Sequence, residues 1–167
     1  MCKFHNSYLE GSIYEGFVVQ DQVHIGYNSK NEKKPFQFRF GCVQRETKHF
    51  YRQKVDGILG LSRMEDYKTR ENGHTAIYKQ MKKNGIIKRL MFTLCLGHNG
   101  GYLQFGGYSK RGFSEEPKWF TIVDNNDFKI GVKRMTLDGK SITENIVGFV
   151  DSGTNVAYLP EKVYKKV

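Results

Sequence analysis

Proline, cysteine and tryptophan are scarce in this chain, with 3, 3 and 1 among 167 residues. Three thiols leave at least one unpaired within the chain. Cys95, in Leu94-Cys95-Leu96, reads as a buried small hydrophobe, while Cys2 and Cys42 have the choice of bonding to each other or to partners outside these residues. The cysteines match no zinc spacing and the five histidines form no H-x-x-x-H or H-E-x-x-H arrangement, so no metal site is expected. No apolar run approaches the roughly 18 residues that cross a bilayer. No membrane segment is therefore expected, and Met1-Cys2-Lys3-Phe4-His5 does not read as a signal peptide.

Acidic residues are also in deficit, 17 against 27 Lys and Arg, for a formal charge of +10. Clustered cations would suit phosphates. Here they are dispersed, with Lys30, Lys33 and Lys34 in one loop, Lys79, Lys82 and Lys83 along a helix, and Lys165 and Lys166 at the end. Aromatics fall at strand spacing (Phe36, Phe38, Phe40) instead of in a base-stacking motif, so nucleic acid is not an expected partner. With 38% hydrophobic residues, 10 Tyr and 12 Phe, the chain has the apolar surface for a core.

Strand signals dominate. Residues 2–8 and 12–25 predict a hairpin turning at Glu10-Gly11, and Phe36 to Phe40 alternate as a half-buried strand does, ahead of a charged loop. Val55 to Leu61 reads as a short buried strand bracketed by glycines. A helix is predicted from an N-cap at Thr75 to Asn84, ended by Gly85. Strands near 91–96 and 101–106 share the turn His98-Asn99-Gly100. Beyond a polar stretch from Tyr108 to Pro117, strands are expected at 119–123, 128–137, 140–143 and 146–151, then a helix near Pro160.

Chemistry concentrates at Gly148-Phe149-Val150-Asp151-Ser152-Gly153-Thr154-Asn155, which delivers an acid from an apolar strand into a Gly turn. Burying a carboxylate is costly unless hydrogen bonds or a shared proton compensate. Ser152 and Thr154 offer hydroxyl donors and Gly153 allows a close backbone approach. The plain alternative is an Asx turn with no chemical role.

Several motifs stand in one order: Tyr8-Leu9-Glu10-Gly11-Ser12 with Gly16, Asp21 and Ile25-Gly26; Phe40-Gly41-Cys42; Asp56-Gly57-Ile58-Leu59-Gly60-Leu61; Phe92 to Gly97 with Gly101-x-Leu103-x-Phe105-Gly106-Gly107; and Val150 to Thr154 with Leu159-Pro160. Each alone is weak. The ordered set covers essentially the whole chain and resembles the two-lobed eukaryotic aspartic proteases of the pepsin family. The Cys2-x-Phe4 approach to Tyr8 and the Phe-Gly-Cys step look most like the branch of the plant nepenthesins and related protist enzymes.

That resemblance implies an all-β, pepsin-like acid protease fold held in part. Residues 1–108 would be the remainder of the N-terminal lobe with its flap, and residues 109–167 the start of the C-terminal lobe with the second catalytic loop. Tyr8 would be the flap tyrosine, with Gly11 and Ser12 at the flap tip. Asp151 would be the second catalytic aspartate, in a loop supported by Ser152, Gly153 and Thr154, where Ser152 bonds across to the opposite loop and Thr154 to its own aspartate. Ile58, Leu59 and Gly60 look like the strand beside the first catalytic loop, which makes Asp56 a turn residue. Asn155 stands where the family more often has Thr or Ser.

The resemblance further implies aspartic endopeptidase activity without metal or other cofactor, a peptide or protein substrate, a monomer, and a secreted or lysosomal/vacuolar parent enzyme. Such enzymes share one proton between two aspartates. The first Asp-Thr-Gly loop would precede the flap and the second lobe would continue past Val167, so the 167 residues alone are expected to be inactive. Two other readings are a non-catalytic relative holding an extended peptide under the flap and a basic nucleic-acid-binding β domain.

Overall fold

The computed structural model describes residues 2–8, 10–26, 34–47, 50, 54–63, 75–110 and 113–167. Among them lie strands β1 (Lys3–Ser7), β2 (Ile13–Val23) and β3 (Phe36–Glu46), helix α1 (Ile77–Lys83), strands β4 (Phe92–Gly97), β5 (Gly100–Phe105), β6 (Lys129–Leu137) and β7 (Lys140–Phe149), and helix α2 (Glu161–Tyr164). The fold class is all-β. Sheets of order β1-β2-β3, β4-β5 and β6-β7 pair only consecutive strands, all antiparallel. The chain divides into a unit of Met1–Leu61 with His74–Tyr108 and a unit of Ser62–Gly73 with Ser109–Val167.

In the first unit Lys3 faces Phe17 and Phe17 faces Cys42, whereas Tyr14 faces Glu46. The change of register between Glu15 and Gly16 leaves Gln44 unpaired in the ladder, a β-bulge. At Gly16 the strands approach so closely that a Cβ would lie 2.0 Å from the Cys42 carbonyl oxygen, and a Cβ on Gly41 would lie 2.6 Å from the Phe4 ring. Glycine at both positions thus admits the bulge and seats Phe4 on the sheet. Below, Ile77, Tyr78 and Met81 of α1 are buried with Phe36 and Ile87, and the Tyr78 and Phe92 rings meet at 5.3 Å.

The second unit is built on the β6-β7 hairpin, whose turn uses Asp138 (φ 49°) and Gly139 (φ 76°). Two positive φ values at the centre of a two-residue turn match the twist of the strands it joins. Ile142 and Val163 are buried, and Lys166 Nζ donates to the Ile142 carbonyl at 2.9 Å.

Several expectations are corrected. Residues 55–61 form no strand, and Ile58 and Leu59 are 56% and 48% exposed; an apolar run becomes a strand only with a partner strand, and among the described residues no strand pairs with it. The stretch after Phe40 expected as a charged loop continues β3 to Glu46. Helix α1 is capped at Ala76 without a side-chain bond, so Thr75 is not its cap, although Gly85 (φ 70°) ends it as expected. Residues 119–123 form no strand, although Ile122 makes an isolated bridge to Ile130 and the Val123 N–H bonds to the Lys129 carbonyl at 2.9 Å. The two strands expected over 140–151 are one, β7. Cys95 is half-buried. The loop expected to hold Lys30, Lys33 and Lys34 lies largely outside the described residues.

The register also separates two thiols. Lys3 shares a row with Cys42, so Cys2, one residue earlier, points to the opposite face, and a whole strand stands between them. Two interstrand spacings come to about 9.6 Å, beyond the ~7 Å a disulfide spans between Cα atoms. Non-reducing peptide mapping is expected to find no Cys2–Cys42 link, and recovery of that linked peptide would refute the register.

A compact electrostatic knot stabilises the second unit. Asp124 Oδ1 accepts the Asn126 and Asp127 backbone N–H groups at 2.8 and 2.9 Å, and Oδ2 accepts Lys129 Nζ at 3.0 Å. These bonds, that from Asn126 foremost, hold the Asp124 pKa down to about 2 against an ordinary 3.8. A depressed folded-state pKa stabilises fully above the unfolded value and loses that contribution as pH falls through the folded one. Thermal melting is therefore expected to weaken between pH about 4 and about 2, and Asp124→Asn should flatten that part of the profile. An unchanged profile in the variant would exclude the knot as its source.

Candidate active site

The tip between β1 and β2 closes through two backbone bonds, Tyr8 N–H to the Ser12 carbonyl at 2.9 Å and Gly11 N–H to the Tyr8 carbonyl at 2.8 Å. Gly11 sits at φ 82°, the left-handed region that glycine enters at no steric cost. Just behind the tip, Thr47 accepts the Ile13 N–H on its Oγ1 at 3.0 Å and returns its own N–H to the Ile13 carbonyl at 3.0 Å. The base of the hairpin is thereby tied to the end of β3.

Tyr8 lies in an aromatic cluster, its ring 5.6 Å from Tyr14 and 5.4 Å from Phe50, with Phe4 5.8 Å from Tyr14. Tyr8 Oη donates to Tyr14 Oη at 3.0 Å, and Asn6 Nδ2 donates to the same oxygen at 3.0 Å. Desolvation first, then the bond to Tyr14, raises the Tyr8 pKa far above the ordinary tyrosine value. The phenol thus remains a neutral donor. Ser12 is wholly buried, and its hydroxyl has no hydrogen-bond partner among the described residues.

At the end of β7, Asp151 is held by its own turn. Its Oδ1 accepts the Gly153 N–H at 2.9 Å and its Oδ2 accepts the Thr154 hydroxyl at 2.5 Å. Both oxygens are engaged from the same short segment, which fixes the carboxylate plane while leaving each oxygen further acceptor capacity. Asp151, Ser152, Gly153 and Thr154 are exposed, as are Phe149 and Val150, so the costly burial expected of this acid is not seen here. Ser152 makes no side-chain hydrogen bond among the described residues. A helix follows, with no strand between it and Asp151.

The structure therefore gathers Tyr8, Gly11 and Ser12 at one tip in the first unit, and Asp151, Gly153 and Thr154 in one turn in the second. Tyr14 and Asn6 escaped sequence reading: a turn centred between Glu10 and Gly11 would set Asn6 opposite Glu15, whereas the observed register is centred on Glu10 and sets it opposite Tyr14. Among the described residues no group of three or more His, Cys, Asp or Glu is placed to hold a metal ion, and no helix is long and apolar enough to cross a membrane.

Comparison with known proteins adds three relatives and a family. The family model described as eukaryotic aspartyl protease matches residues 2–167. Plasmepsin V of Plasmodium falciparum (isolate 3D7) is 32% identical over 127 residues, which cover 75% of this chain and 20% of that protein. Aspartic proteinase 36 of Arabidopsis thaliana is 28% identical over 183 residues, covering 99% and 35%. Secreted aspartic protease 4 of Candida albicans is 25% identical over 167 residues, covering 98% and 37%. The chain spans between a fifth and somewhat over a third of the length of these relatives.

Replacing Tyr14 by Phe removes the acceptor of the Tyr8 hydroxyl but leaves the surrounding rings. The Tyr8 titration, followed by ultraviolet difference absorbance, is expected to move down toward the ordinary range without returning to it, since desolvation remains. A titration that stays where it is would show that Tyr14 contributes nothing.

Proposed function

This chain belongs to the eukaryotic aspartyl protease family, and on that premise we propose that it carries the flap and one of the two catalytic aspartates of an aspartic endopeptidase. The observation that carries the proposal is the Asp151 turn, an acid oriented by its own Gly153 N–H and Thr154 hydroxyl at the end of an apolar strand. Two such carboxylates facing one another cannot both ionise, so one proton is shared. The ionised member takes a proton from the water that attacks the peptide carbonyl, and the protonated member delivers one to the departing nitrogen. No acyl-enzyme and no metal enters this route. Gly153 and Thr154 act as positioning residues, holding the Asp151 plane.

In this reading residues 1–108 are the remainder of the N-terminal lobe and 109–167 the beginning of the C-terminal lobe. The Tyr8 tip closes over an extended peptide, with Gly11 giving the turn its shape and Ser12 set beneath it; Ser152 reaches the loop that bears the opposing aspartate. The substrate is a peptide or protein, the working form a monomer, and the parent enzyme secreted or lysosomal/vacuolar; the Candida albicans relative is named a secreted aspartic protease. Asp-Ser-Gly-Thr at 151–154 is the only Asp-(Ser/Thr)-Gly loop in the 167 residues, so the isolated chain lacks the proton-sharing pair.

The purified 167-residue chain is therefore expected to cleave no peptide at any pH, whereas the same chain joined to segments that supply the second aspartate cleaves at acidic pH. In the longer protein Asp151→Asn should lower kcat by at least about a hundredfold, the scale of one general acid–base group. Inactivity of that longer protein would favour a non-catalytic peptide binder. Pepstatin-sensitive cleavage by the short chain, abolished by Asp151→Asn, would instead mean that two copies pair their Asp151 residues.

A further inference from the structure

From Asn72 to Ser114 the sequence contains no aspartate or glutamate, yet it holds Lys79, Lys82, Lys83, Lys88, Arg89, Lys110 and Arg111. The fold draws four of these together. Because Ile77, Tyr78 and Met81 occupy the buried face of α1, Lys82 and Lys83 of its last turn are exposed. The chain then reverses sharply: Ile86 N–H returns to the Met81 carbonyl at 2.9 Å and Gly85 N–H to that of Lys82 at 3.1 Å. Ile87 is buried beneath Gly106, where a Cβ would come within 2.8 Å of it. Lys82 Nζ donates to the Lys88 carbonyl, which sets Lys88 and Arg89 beside the helix end.

Next to these cations stands an apolar projection. Met91 N–H bonds to the Arg89 carbonyl at 3.0 Å, closing a three-residue turn with Leu90 at its apex, 53% exposed. Lys82, Lys83, Lys88 and Arg89 are all exposed, and none is paired with a carboxylate among the described residues. This turn is also remote from the flap. Helix α1 meets the sheet where Gln80 Nε2 donates to the Gln37 carbonyl, and Gln37 faces Gln22, nine residues along β2 from Ile13. At ~3.3 Å per residue that is about 30 Å from the hairpin base.

We propose that the turn formed by Lys82, Lys83, Lys88, Arg89 and Leu90 docks the protein on an anionic lipid bilayer. Cations alone would fit any polyanion. The projecting leucine decides among them, because only a bilayer places an apolar layer directly beneath a negatively charged one. A nucleic acid would call for an exposed aromatic platform or a groove along which phosphates run. The aromatic rings of this region, Tyr78 and Phe92, face each other instead. Docking here leaves the Tyr8 tip free to meet substrate.

The test uses the 167-residue chain with phosphatidylcholine vesicles, alone and mixed with phosphatidylserine. Cosedimentation is expected only with the mixed vesicles and should fall steeply as salt is raised. Changing Lys82, Lys83, Lys88 and Arg89 to Glu should cut the partition coefficient more than about a hundredfold, since each basic residue near the surface contributes several-fold. Changing Lys118, Lys133, Lys140 and Lys162 to Glu gives the same net charge and should cost no more than about threefold. The pair Lys88→Glu, Arg89→Glu lies outside α1, so it tests the patch without touching the helix, and Leu90→Ser should weaken binding at unchanged salt dependence. Equal losses in the two fourfold variants, binding to neutral vesicles, or capture of an acidic peptide or RNA with none of the vesicles would each overturn the proposal.

Discussion

Close approach of two backbones at Gly16 is the constraint on which the first unit depends. With no side chain there, β2 lies against the Cys42 carbonyl, and the ladder takes in one extra residue of β3 between that point and the hairpin tip. A single-residue slip in a strand sends every side chain to the other face. The continuous β1-β2 register places Phe4 and Tyr14 on one face and His5 and Glu15 on the other, and the bulge shifts β3 by one residue so that Arg45 faces Glu15 and joins that ion-paired row.

Asp124 and Asp151 show how little a short motif says by itself. Each accepts backbone N–H groups from its own following turn, and each has one further donor, the Lys129 ammonium for Asp124 and the Thr154 hydroxyl for Asp151. In the first, a cation neutralises the carboxylate, and the arrangement stabilises the local fold. In the second, the donors are uncharged and the acid remains available. Local geometry does not by itself separate a structural use from the chemical one proposed for Asp151, and family membership over residues 2–167 is what motivates that proposal.

Legibility in the sequence tracked the range of the interaction. The turn between β1 and β2, the β4-β5 and β6-β7 turns and the end of α1 were readable because each depends on a few adjacent residues, with Gly11, Gly139 and Gly85 adopting positive φ as their turns require. The all-β class and the pepsin-like family followed from motif order. Residues 55–61 and 119–123 were misread because apolar, β-forming composition says nothing about whether a distant partner strand is present. Thr75 was a reasonable cap that tertiary packing of Ala76, Ile77 and Tyr78 displaced by one residue. Tyr14 was missed because its value lies in what it faces.

Among the described residues every ladder joins a strand to the next one along the chain. Contacts of short sequence separation cost little loop-closure entropy to form, and folding rates rise as mean contact separation falls. The tight turns at Gly11, His98-Asn99 and Asp138-Gly139 therefore make three hairpins that can each zip on the microsecond scale, about 1–10 μs. Of these three, the hairpin turning at Gly11 emerges during synthesis before those at His98-Asn99 and Asp138-Gly139, so each can close before the next is made.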